Sequence, residues 1–464
     1  MQIQGSRLRV LLVPDSVHWV TGTIAKSIAH YNPWIEATIA SRAVIDALLN
    51  ERPELIRNFD LVHFICPYAS KDWLPRFRDF VPCVTSHHHV TDWELLKHNL
   101  EGDAIVVGSP EWAEDLRARG AEMTRVFWVP YGVEVEKFRP PTEAERAAVR
   151  SRLKLSPDAI VIGFFGKNSS NDDDRKGIDV FSRGVIELRK KVPKLAILIV
   201  GPGWQELADS RKSAGVSCVW VPFVRGLEGL AEMYHALDFY WVTARVEGGP
   251  VTLLEAMSSA VCCLTTPVGL AREIVVDGEN AALLPFNDAG AFAEKTAALV
   301  NNPEERARLG RNGRRTMLER MQVAVTSRGV RDVYAKAFEN FSHRNRGRPE
   351  VEIESLAAEA DKNERDGELQ NIPLHGFPME LHRRVKMLET LAWAEHLILY
   401  HDQRRLALQL VFREWFHNPF SLLPPRVLLR RFLPISMVAK IVKLKHGSER
   451  KAGILPSYSS SEKV

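Results

Sequence analysis

Short apolar runs alternate with segments of helical pattern through most of this chain, and this alternation limits its fold more than any other feature. In the first part, the runs long enough to be buried strands are Arg9–Val13, Leu61–Ile65, Pro82–Ser86, Ala104–Gly108 and Val126–Pro130. Segments of helical pattern lie between them, at Thr23–His30, Val44–Asn50 and Pro110–Gly120. Regular alternation of strands and helices predicts a parallel sheet with helices on both faces.

The same alternation starts again after a polar stretch that begins at Pro140-Pro141. Strands are predicted at Ala159–Phe165, Ala196–Val200, Val219–Pro222, Phe239–Thr243 and Val261–Thr265. Helices are predicted at Gly177–Lys190, Leu227–Leu237, Thr252–Ser258, Ala289–Val300 and Pro303–Leu309. A second doubly wound domain follows from this pattern, and ligands of such sheets bind at the carboxyl ends of the strands.

The composition changes near Ser342. The stretch 342–369 is charged and poor in aromatic residues, which is typical of a solvated linker, and 379–416 has a helical pattern. Residues 419–446 carry six cations among branched apolar residues, with no acid between them. This tail favours either contact with an anionic membrane surface or packing on the rest of the chain or a partner subunit. The sequence thus divides into domains at 1–140 and 141–341, with a charged linker and basic helical tail at 342–464.

Composition sets the broad class of protein. A chain of 464 residues with 45% hydrophobic residues is long enough for two or three globular domains. A net charge of +4 is too small at this length to indicate nucleic-acid binding, and no apolar run is long enough for a transmembrane helix. Five cysteines without a C-x-x-C spacing favour buried, reduced thiols in a cytosolic protein.

Two carboxylates stand eight positions apart, at Glu247 and Glu255, on either side of a Gly-Gly-Pro turn. A helix is expected after the turn, with Thr252 as its N-cap. Glu247 then lies at a strand end above the helix N-terminus, and Glu255 lies about one turn into the helix. Unpaired N–H groups at that terminus attract a diphosphate, and the carboxylates can accept bonds from sugar and ribose hydroxyls. The alternative is an ordinary strand–helix turn with two solvated glutamates.

This segment resembles the E-x7-E motif of the retaining glycosyltransferases of family 4. The resemblance continues downstream through 265–280. It also includes 129–140, which is similar to the interdomain segment of that family. In all it covers roughly residues 8 to 340. It implies the GT-B fold, in which two Rossmann-like doubly wound domains face a cleft. It also implies that the last helices cross back to the first domain, here at Gln322–Phe341. The tail adds a C-terminal helical extension.

The resemblance implies roles for the motif residues. Glu247 matches the glutamate that contacts the donor sugar, and Glu255 matches the one that contacts the nucleotide ribose. Gly248 and Gly249 permit close backbone approach to the donor. The family more often shows Gly-Phe-Gly where this chain has Gly-Gly-Pro, so the sugar preference is open.

The donor diphosphate is held in the family by two cations, which match Lys167 and Lys176 here. The family has an arginine at the first of these positions, and Arg175 is a candidate to compensate for its two-pronged geometry. The acidic residues 172–174 are expected to point into water rather than to bind a metal. The resemblance implies that neither a metal nor another cofactor is needed.

Two first-domain positions complete the expected site. Gly22 matches the glycine of a loop that faces the diphosphate. Among His87, His88 and His89, the family's histidine near the reacting centre corresponds best to His88, with His87 as the next choice. Arg245 is expected either to pair with Glu247 or phosphate, or to be a surface residue.

These expectations combine into one function with two alternatives. The first is a glycosyltransferase, cytoplasmic or peripheral on the inner face of a membrane, that moves a sugar from a UDP- or GDP-sugar to a carbohydrate or lipid-linked acceptor. The resemblance implies retention, with the leaving phosphate helping to take the acceptor proton and no side chain acting as a nucleophile. The alternatives are a GT-B epimerase or phosphorylase, and a non-catalytic nucleotide-sugar-binding scaffold.

Overall fold

The structure is a computed structural model that describes residues 7–90, 92–168, 173–213, 215–222, 224, 226–345, 374–401 and 407–411. It contains two six-stranded sheets in which the paired strands are parallel. This arrangement confirms the two doubly wound domains predicted from the alternation of strands and helices.

The first sheet has the strand order β2-β1-β3-β4-β5-β6. Its strands are β1 (Leu8–Val13), β2 (Ile35–Ile39), β3 (Leu61–Phe64), β4 (Cys83–His87), β5 (Ala104–Val107) and β6 (Val126–Trp128). Its helices are α1 (Val20–Tyr31), α2 (Arg42–Leu49), α3 (Ser70–Phe77), α4 (Trp93–Leu96) and α5 (Pro110–Ala118). The sequence analysis missed β2 because Glu36 and Thr38 interrupt its apolar run.

The second sheet has the order β12-β11-β10-β7-β8-β9. Its strands are β7 (Ile160–Phe165), β8 (Leu195–Val200), β9 (Ser217–Val221), β10 (Phe239–Val242), β11 (Cys262–Thr265) and β12 (Ala282–Leu283). Its helices are α6 (Glu143–Arg152), α7 (Asp173–Lys176), α8 (Ile178–Lys191), α9 (Gln205–Ser213), α10 (Gly226–His235), α11 (Val251–Ser258), α12 (Ala271–Ile274), α13 (Ala289–Val300) and α14 (Pro303–Arg320).

Helix α14 is longer than the predicted Pro303–Leu309. The part beyond Leu309 is rich in arginine and contains Gly310 and Gly313, which hid the helical pattern in the sequence. A Cβ on Gly310 would lie 2.2 Å from the Ala260 carbonyl oxygen, so the glycine lets the helix pack closely on the turn before β11.

Both faces of the second sheet are covered. Leu198 and Tyr240 belong to one buried apolar cluster, while the adjacent Ile197 and Trp241 belong to the cluster on the other face. Strands buried on both faces read as continuous apolar runs, which explains why the sequence pattern located them.

Two chain segments cross between the sheets side by side. The Val133 N–H donates to the Met321 carbonyl at 2.9 Å, and the Val323 N–H donates to the Val133 carbonyl at 3.1 Å. The crossing segment expected at Gln322–Phe341 forms α15 (Val323–Thr326), a 3-10 turn (Ser327–Gly329) and α16 (Val330–Arg344). Tyr334 of α16 packs in the apolar cluster of the first sheet.

Residues 374–389 also pack on the first domain, although the sequence analysis assigned 342–464 to a linker and tail. Phe377, Leu381 and Val385 are buried in one cluster with Phe59. Helix α17 (Met379–His401) begins within this segment. The basic stretch 419–446 and most of the predicted linker lie outside the described residues. Within the described ranges, no helix is long and apolar enough to cross a membrane.

Candidate active site

A cavity of about 400 Å³ lies at the carboxyl ends of strands from both sheets. First-domain residues after β1, β3 and β4 line one side, and the second domain lines the other with residues after β7 and β10. The predicted site residues on its wall are His88, Lys167, Arg175, Lys176, Glu247, Gly248 and Gly249. Ligand sites of doubly wound sheets lie at this edge, so the cavity is the candidate active site.

Glu247 is tied to two cations on the cavity wall. Its Oε1 lies 3.0 Å from Arg175 Nη1 and 3.7 Å from Lys176 Nζ. Burial alone would raise the pKa of Glu247, but the attraction of Lys176 and Arg175 outweighs it and holds the pKa below its ordinary value. Glu247 is therefore an ionised acceptor of hydrogen bonds, held between two strong donors.

Lys176 is placed by two glycines with positive φ. Gly166 has φ +145°, and a Cβ there would lie 3.1 Å from Lys176 Nζ. Gly177 has φ +63°, and a Cβ there would lie 2.0 Å from the Thr243 carbonyl oxygen. Only glycine fits this backbone, which brings the Lys176 ammonium group over the end of β7.

The two glycines of the motif turn face the first domain. A Cβ on Gly248 would lie 2.1 Å from the His88 carbonyl oxygen, and a Cβ on Gly249 would lie 2.5 Å from Tyr131 Cδ2. The sequence analysis assigned these glycines to close approach of the donor. In the structure, the same lack of a side chain lets the turn meet the loop after β4.

Two residues of α5 hold the motif turn from the first domain, and the sequence analysis identified neither. Trp112 Nε1 donates to the Glu247 carbonyl at 2.9 Å, and Glu111 Oε2 accepts from the Gly269 N–H at 2.7 Å. Glu111 also lies 3.5 Å from Arg272. We call Glu111 and Trp112 the interdomain latch. No local sequence signal marks it, since its partners are remote in the chain.

Helix α11 begins at Val251, two residues before the start at Leu253 that the predicted N-cap Thr252 implies. Pro250 is the N-cap, and its carbonyl accepts from Leu253 at 2.8 Å. Pro250, Val251 and Thr252 all line the cavity. The predicted helix N-terminus therefore does meet the cavity, where the positive end of the helix dipole favours an anion.

Glu255 lies one turn into α11, as expected, but it is outside the lining of this cavity. Its Oε2 accepts from the Tyr234 hydroxyl at 2.6 Å. Burial raises the pKa of Glu255 to about 7, and the bond from Tyr234 offsets only part of this effect. The two motif glutamates thus differ in charge near neutral pH.

The three histidines after β4 have different surroundings. His88 lies on the cavity wall, where its Nε2 donates to the Ile65 carbonyl at 2.8 Å and its Nδ1 accepts from the Tyr131 hydroxyl. His87 is fully buried against Trp112, and its ring nitrogens have no hydrogen-bond partner within the described chain. His89 lines the cavity, and burial together with the nearby Arg175 lowers its pKa to about 4. The sequence analysis chose His88 but missed His89.

Gly22 does not lie in a loop facing the cavity. It is buried in the first turn of α1, where a Cβ would lie 2.4 Å from the Ser16 carbonyl oxygen. Its neighbours Trp19, Val20 and Thr21 line the cavity instead. The glycine is needed because the chain turns back tightly after β1. This requirement explains why Gly22 matches the family's glycine in sequence although it does not line the cavity.

Arg245 Nη2 donates to both carboxylate oxygens of Asp179, at 2.9 and 3.0 Å, on the outside of the second domain. Within the described part of the chain, no group of three or more histidine, cysteine, aspartate or glutamate residues is arranged to hold a metal ion. Of the acidic stretch 172–174, residues 173 and 174 begin α7, and residue 172 lies outside the described ranges. All five cysteines are buried thiols outside any disulfide.

Known proteins share both the second domain and the fold. Residues 165–316 match the family model of glycosyl transferases group 1. A D-inositol 3-phosphate glycosyltransferase of Xylanimonas cellulosilytica is 30% identical over 51% of this chain and 57% of its own length. A GDP-mannose-dependent alpha-(1-6)-phosphatidylinositol monomannoside mannosyltransferase of Mycolicibacterium smegmatis is 30% identical over 52% of this chain and 66% of its own length.

Among solved structures, Anabaena HepE in complex with UDP and glucose superposes with a TM-score of 0.59. The match covers 70% of this chain and 99% of that one at 15% identity, and it shows the shared fold. The chain spans little more than half the length of the first of the curated relatives. The family match and the superposition together establish that the chain has the GT-B fold and that residues 165–316 are a group 1 glycosyl transferase domain.

Proposed function

We propose that this protein is a retaining glycosyltransferase that moves a sugar from a UDP- or GDP-sugar to a hydroxyl acceptor, in polysaccharide or glycolipid synthesis. The observation that carries the proposal is the cluster of Glu247, Arg175 and Lys176 on a cavity wall that also includes the N-terminus of α11. Cations and helix amides suit a diphosphate, and the carboxylate suits sugar hydroxyls.

The proposed reaction breaks the bond between the anomeric carbon of the donor and the diphosphate oxygen. A bond from the acceptor oxygen forms on the same face, and the acceptor proton passes to the departing diphosphate. Negative charge grows on the diphosphate as the bond breaks, and Lys167, Arg175 and Lys176 neutralise it. Glu247 orients the donor sugar by accepting its hydroxyl hydrogen bonds, and His88 lies beside the reacting centre.

Both donor bases remain in the proposal, because one relative is named for GDP-mannose and one solved neighbour contains UDP. Glu255 is proposed to accept a bond from the donor ribose. The basic tail at 419–446 is proposed to bring the protein to an anionic membrane surface from the cytoplasm, where a lipid-linked acceptor would lie. No metal or other cofactor is included.

The test is a panel of UDP- and GDP-sugars, scored by thermal shift and by release of the nucleotide. The variants are Lys176→Ala, Glu247→Gln and the control Lys191→Ala, which removes an exposed lysine paired with Glu294. One nucleotide series is expected to stabilise the wild type and Lys191→Ala. Loss of a charge-assisted phosphate contact in Lys176→Ala is expected to weaken donor binding about tenfold or more.

The other possible outcomes of this test each support a different conclusion. Absence of stabilisation by every donor would reject the transferase proposal. Donor binding without transfer to any acceptor would favour the non-catalytic scaffold. Conversion of the donor to an isomeric sugar or a sugar phosphate would favour the epimerase or phosphorylase.

A further inference from the structure

The two walls of the cavity carry opposite kinds of charge. The second-domain wall carries three cations, Lys167, Arg175 and Lys176, and one carboxylate, Glu247, so its charge is net positive. The first-domain residues described on the opposite wall include the carboxylate of Asp15 but neither lysine nor arginine. Since the cations are placed for the donor diphosphate, the first-domain wall is left for the acceptor.

Asp15 is held rigidly in the loop after β1. Its Oδ1 accepts from the Ser16 N–H at 2.6 Å and from the Thr21 hydroxyl. Its own N–H donates to Thr21 Oγ1 at 3.1 Å. These bonds fix the carboxylate through one oxygen, and among the described residues none donates a hydrogen bond to Oδ2. The carboxylate therefore presents a fixed acceptor of hydrogen bonds to the cavity.

The histidines on this wall add no positive charge. Burial lowers the pKa of His88, and burial together with Arg175 lowers the pKa of His89 to about 4. Both rings are neutral at pH 7. Asp15 and His88 line the same cavity, and the negative charge of Asp15 acts on that ring to raise its pKa against the larger effect of burial.

The side chains around Asp15 are largely apolar. Trp19, Val20, Ile24 and Tyr68 line the same wall. A sugar ring has apolar C–H faces and a rim of hydroxyls, so it can lie against aromatic and aliphatic side chains while one hydroxyl donates to a carboxylate. A phosphorylated ring would bring its negative charge toward Asp15, and the described residues of that wall include no lysine or arginine to offset it.

We propose that the acceptor is a neutral, hydroxyl-bearing ring such as a sugar, and that Asp15 on the first-domain wall accepts a hydrogen bond from one of its hydroxyls. The inference rests on the proposed function and narrows it. It sets this chain apart from the relatives named for D-inositol 3-phosphate, whose acceptor carries a phosphate by name. Asp15 binds and orients the acceptor, and the proton still leaves with the diphosphate.

The experiment compares matched neutral and phosphorylated acceptors with the donor found by the panel above. The pairs are methyl hexosides against hexose 6-phosphates, and myo-inositol against an inositol phosphate. Transfer to the neutral member of each pair is expected to be at least about tenfold more efficient in kcat/KM. This factor is the size expected when a hydrogen bond to a charged group is lost. Asp15→Asn keeps the shape and the bonds to the loop, and it is expected to raise the acceptor KM about tenfold.

The donor KM and the thermal shift with nucleotide are expected to be unchanged in Asp15→Asn. The control Asp79→Asn alters an exposed aspartate in the loop before β4, at the opposite edge of the sheet, and is expected to behave as the wild type. Preference for the phosphorylated acceptors, or donor turnover without transfer to any neutral acceptor, would overturn the inference. A rise in donor KM instead of acceptor KM would place Asp15 on the donor and also overturn it. Failure of the wild type to bind any donor would reject the proposed function itself.

Discussion

Glu247 and Glu255 are the same residue type eight positions apart, yet their pKa values move in opposite directions. Both are buried, which disfavours the charged form. The negative charge of Glu247 is offset by Lys176 and Arg175, whereas the partner of Glu255 is the neutral hydroxyl of Tyr234. The motif therefore places one firmly ionised carboxylate on the cavity and one that titrates near neutral pH behind it.

Glu255→Gln is predicted to stabilise the protein at high pH. The pKa of Glu255 rises from 4.5 to about 7 on folding, so between these values the folded state binds more protons than the unfolded state, and stability falls as pH rises. Above pH 7 the ionised group costs roughly 3 kcal/mol, which the neutral amide avoids. Urea unfolding at pH 5 and pH 8 measures this effect, and the gain in unfolding free energy should be much larger at pH 8 than at pH 5.

The same variant is expected to lose donor affinity if Glu255 accepts a bond from the ribose. Equal stability of wild type and Glu255→Gln at pH 8 would contradict the raised pKa. Unchanged donor KM would remove Glu255 from the donor site without affecting the pKa argument.

His89 is predicted to gain basicity when a nucleotide diphosphate binds. Its pKa of about 4 reflects burial first and then the charge of Arg175, with Lys176 a smaller contributor. A diphosphate brings negative charge beside these cations, so the pKa of His89 should rise by on the order of one unit. Histidine ring signals followed by NMR across pH, with and without UDP, measure the change. The exposed His343 of α16 supplies the control resonance, and an unshifted His89 would place the diphosphate elsewhere.

At the scale of elements, the N-terminal turn of α5 meets the motif turn of the second domain. Trp112 is also part of a buried cluster with Ile105, Val107 and Leu116. Gly269, which donates to Glu111, has φ +47°, and a Cβ there would lie 2.5 Å from the Glu247 carbonyl oxygen. The interdomain latch thus acts on both chain segments that support Glu247.

In Trp112→Phe, the rise in donor KM, expressed as a free energy, is predicted to exceed the loss of unfolding free energy. Phenylalanine keeps the buried ring but removes the N–H that bonds the Glu247 carbonyl at 2.9 Å, which costs about 1 kcal/mol or roughly fivefold in affinity. Donor kinetics and urea unfolding measure the two effects separately. Trp128→Phe is the matched control, because Trp128 also donates to a carbonyl, that of Gly108 at 3.2 Å, away from the motif.

Glu111→Ala tests the second half of the latch in the same assays, since it frees the Gly269 N–H. If both latch variants matched Trp128→Phe in donor kinetics, the contacts would be ordinary interdomain packing with no influence on Glu247.

At the scale of the whole molecule, the first domain includes a segment from beyond the crossing helix. The Gly376 N–H donates to Thr38 Oγ1 at 2.7 Å, and the Ser41 N–H donates to Glu389 Oε1 at 2.7 Å. A Cβ on Gly376 would lie 2.0 Å from the Phe59 ring. Residues 374–389 therefore complete the apolar core beneath β2 and α2 rather than extend from it.

Phe377→Ala is predicted to cost about 3 kcal/mol or more of unfolding free energy, because it opens a cavity in a packed core. Phe377 is 3% exposed and meets Phe59 edge to face, with ring centroids 5.8 Å apart. Met379→Ala, at a side chain that is 83% exposed, is the control and should change little. Urea unfolding measures both, and a loss under about 1 kcal/mol for Phe377→Ala would contradict a role of this segment in the core.

The sequence by itself determined the features that are local and periodic. Buried parallel strands are continuous apolar runs, and the turn before α11 is specified by three adjacent residues, Gly-Gly-Pro. The two sheets and the placement of Glu255 one turn into α11 both follow from such patterns. The alternation failed where polar residues or glycines interrupt it, as in β2 and α14.

Only the tertiary structure decided features that depend on contacts between remote residues. Trp112 forms a hydrogen bond with Glu247, 135 positions away, and Glu111 forms one with Gly269, 158 positions away. No local sequence pattern predicts either contact. Past the end of β4 the strand alternation stops, and packing alone determined that His88 and His89 reach the cavity while His87 does not. The same holds for Gly22, which resembles a donor-site glycine in sequence but is buried beneath its own loop. The protonation state of each titrating group is also set by its burial and by neighbouring charges. Both of these arise only when the chain folds.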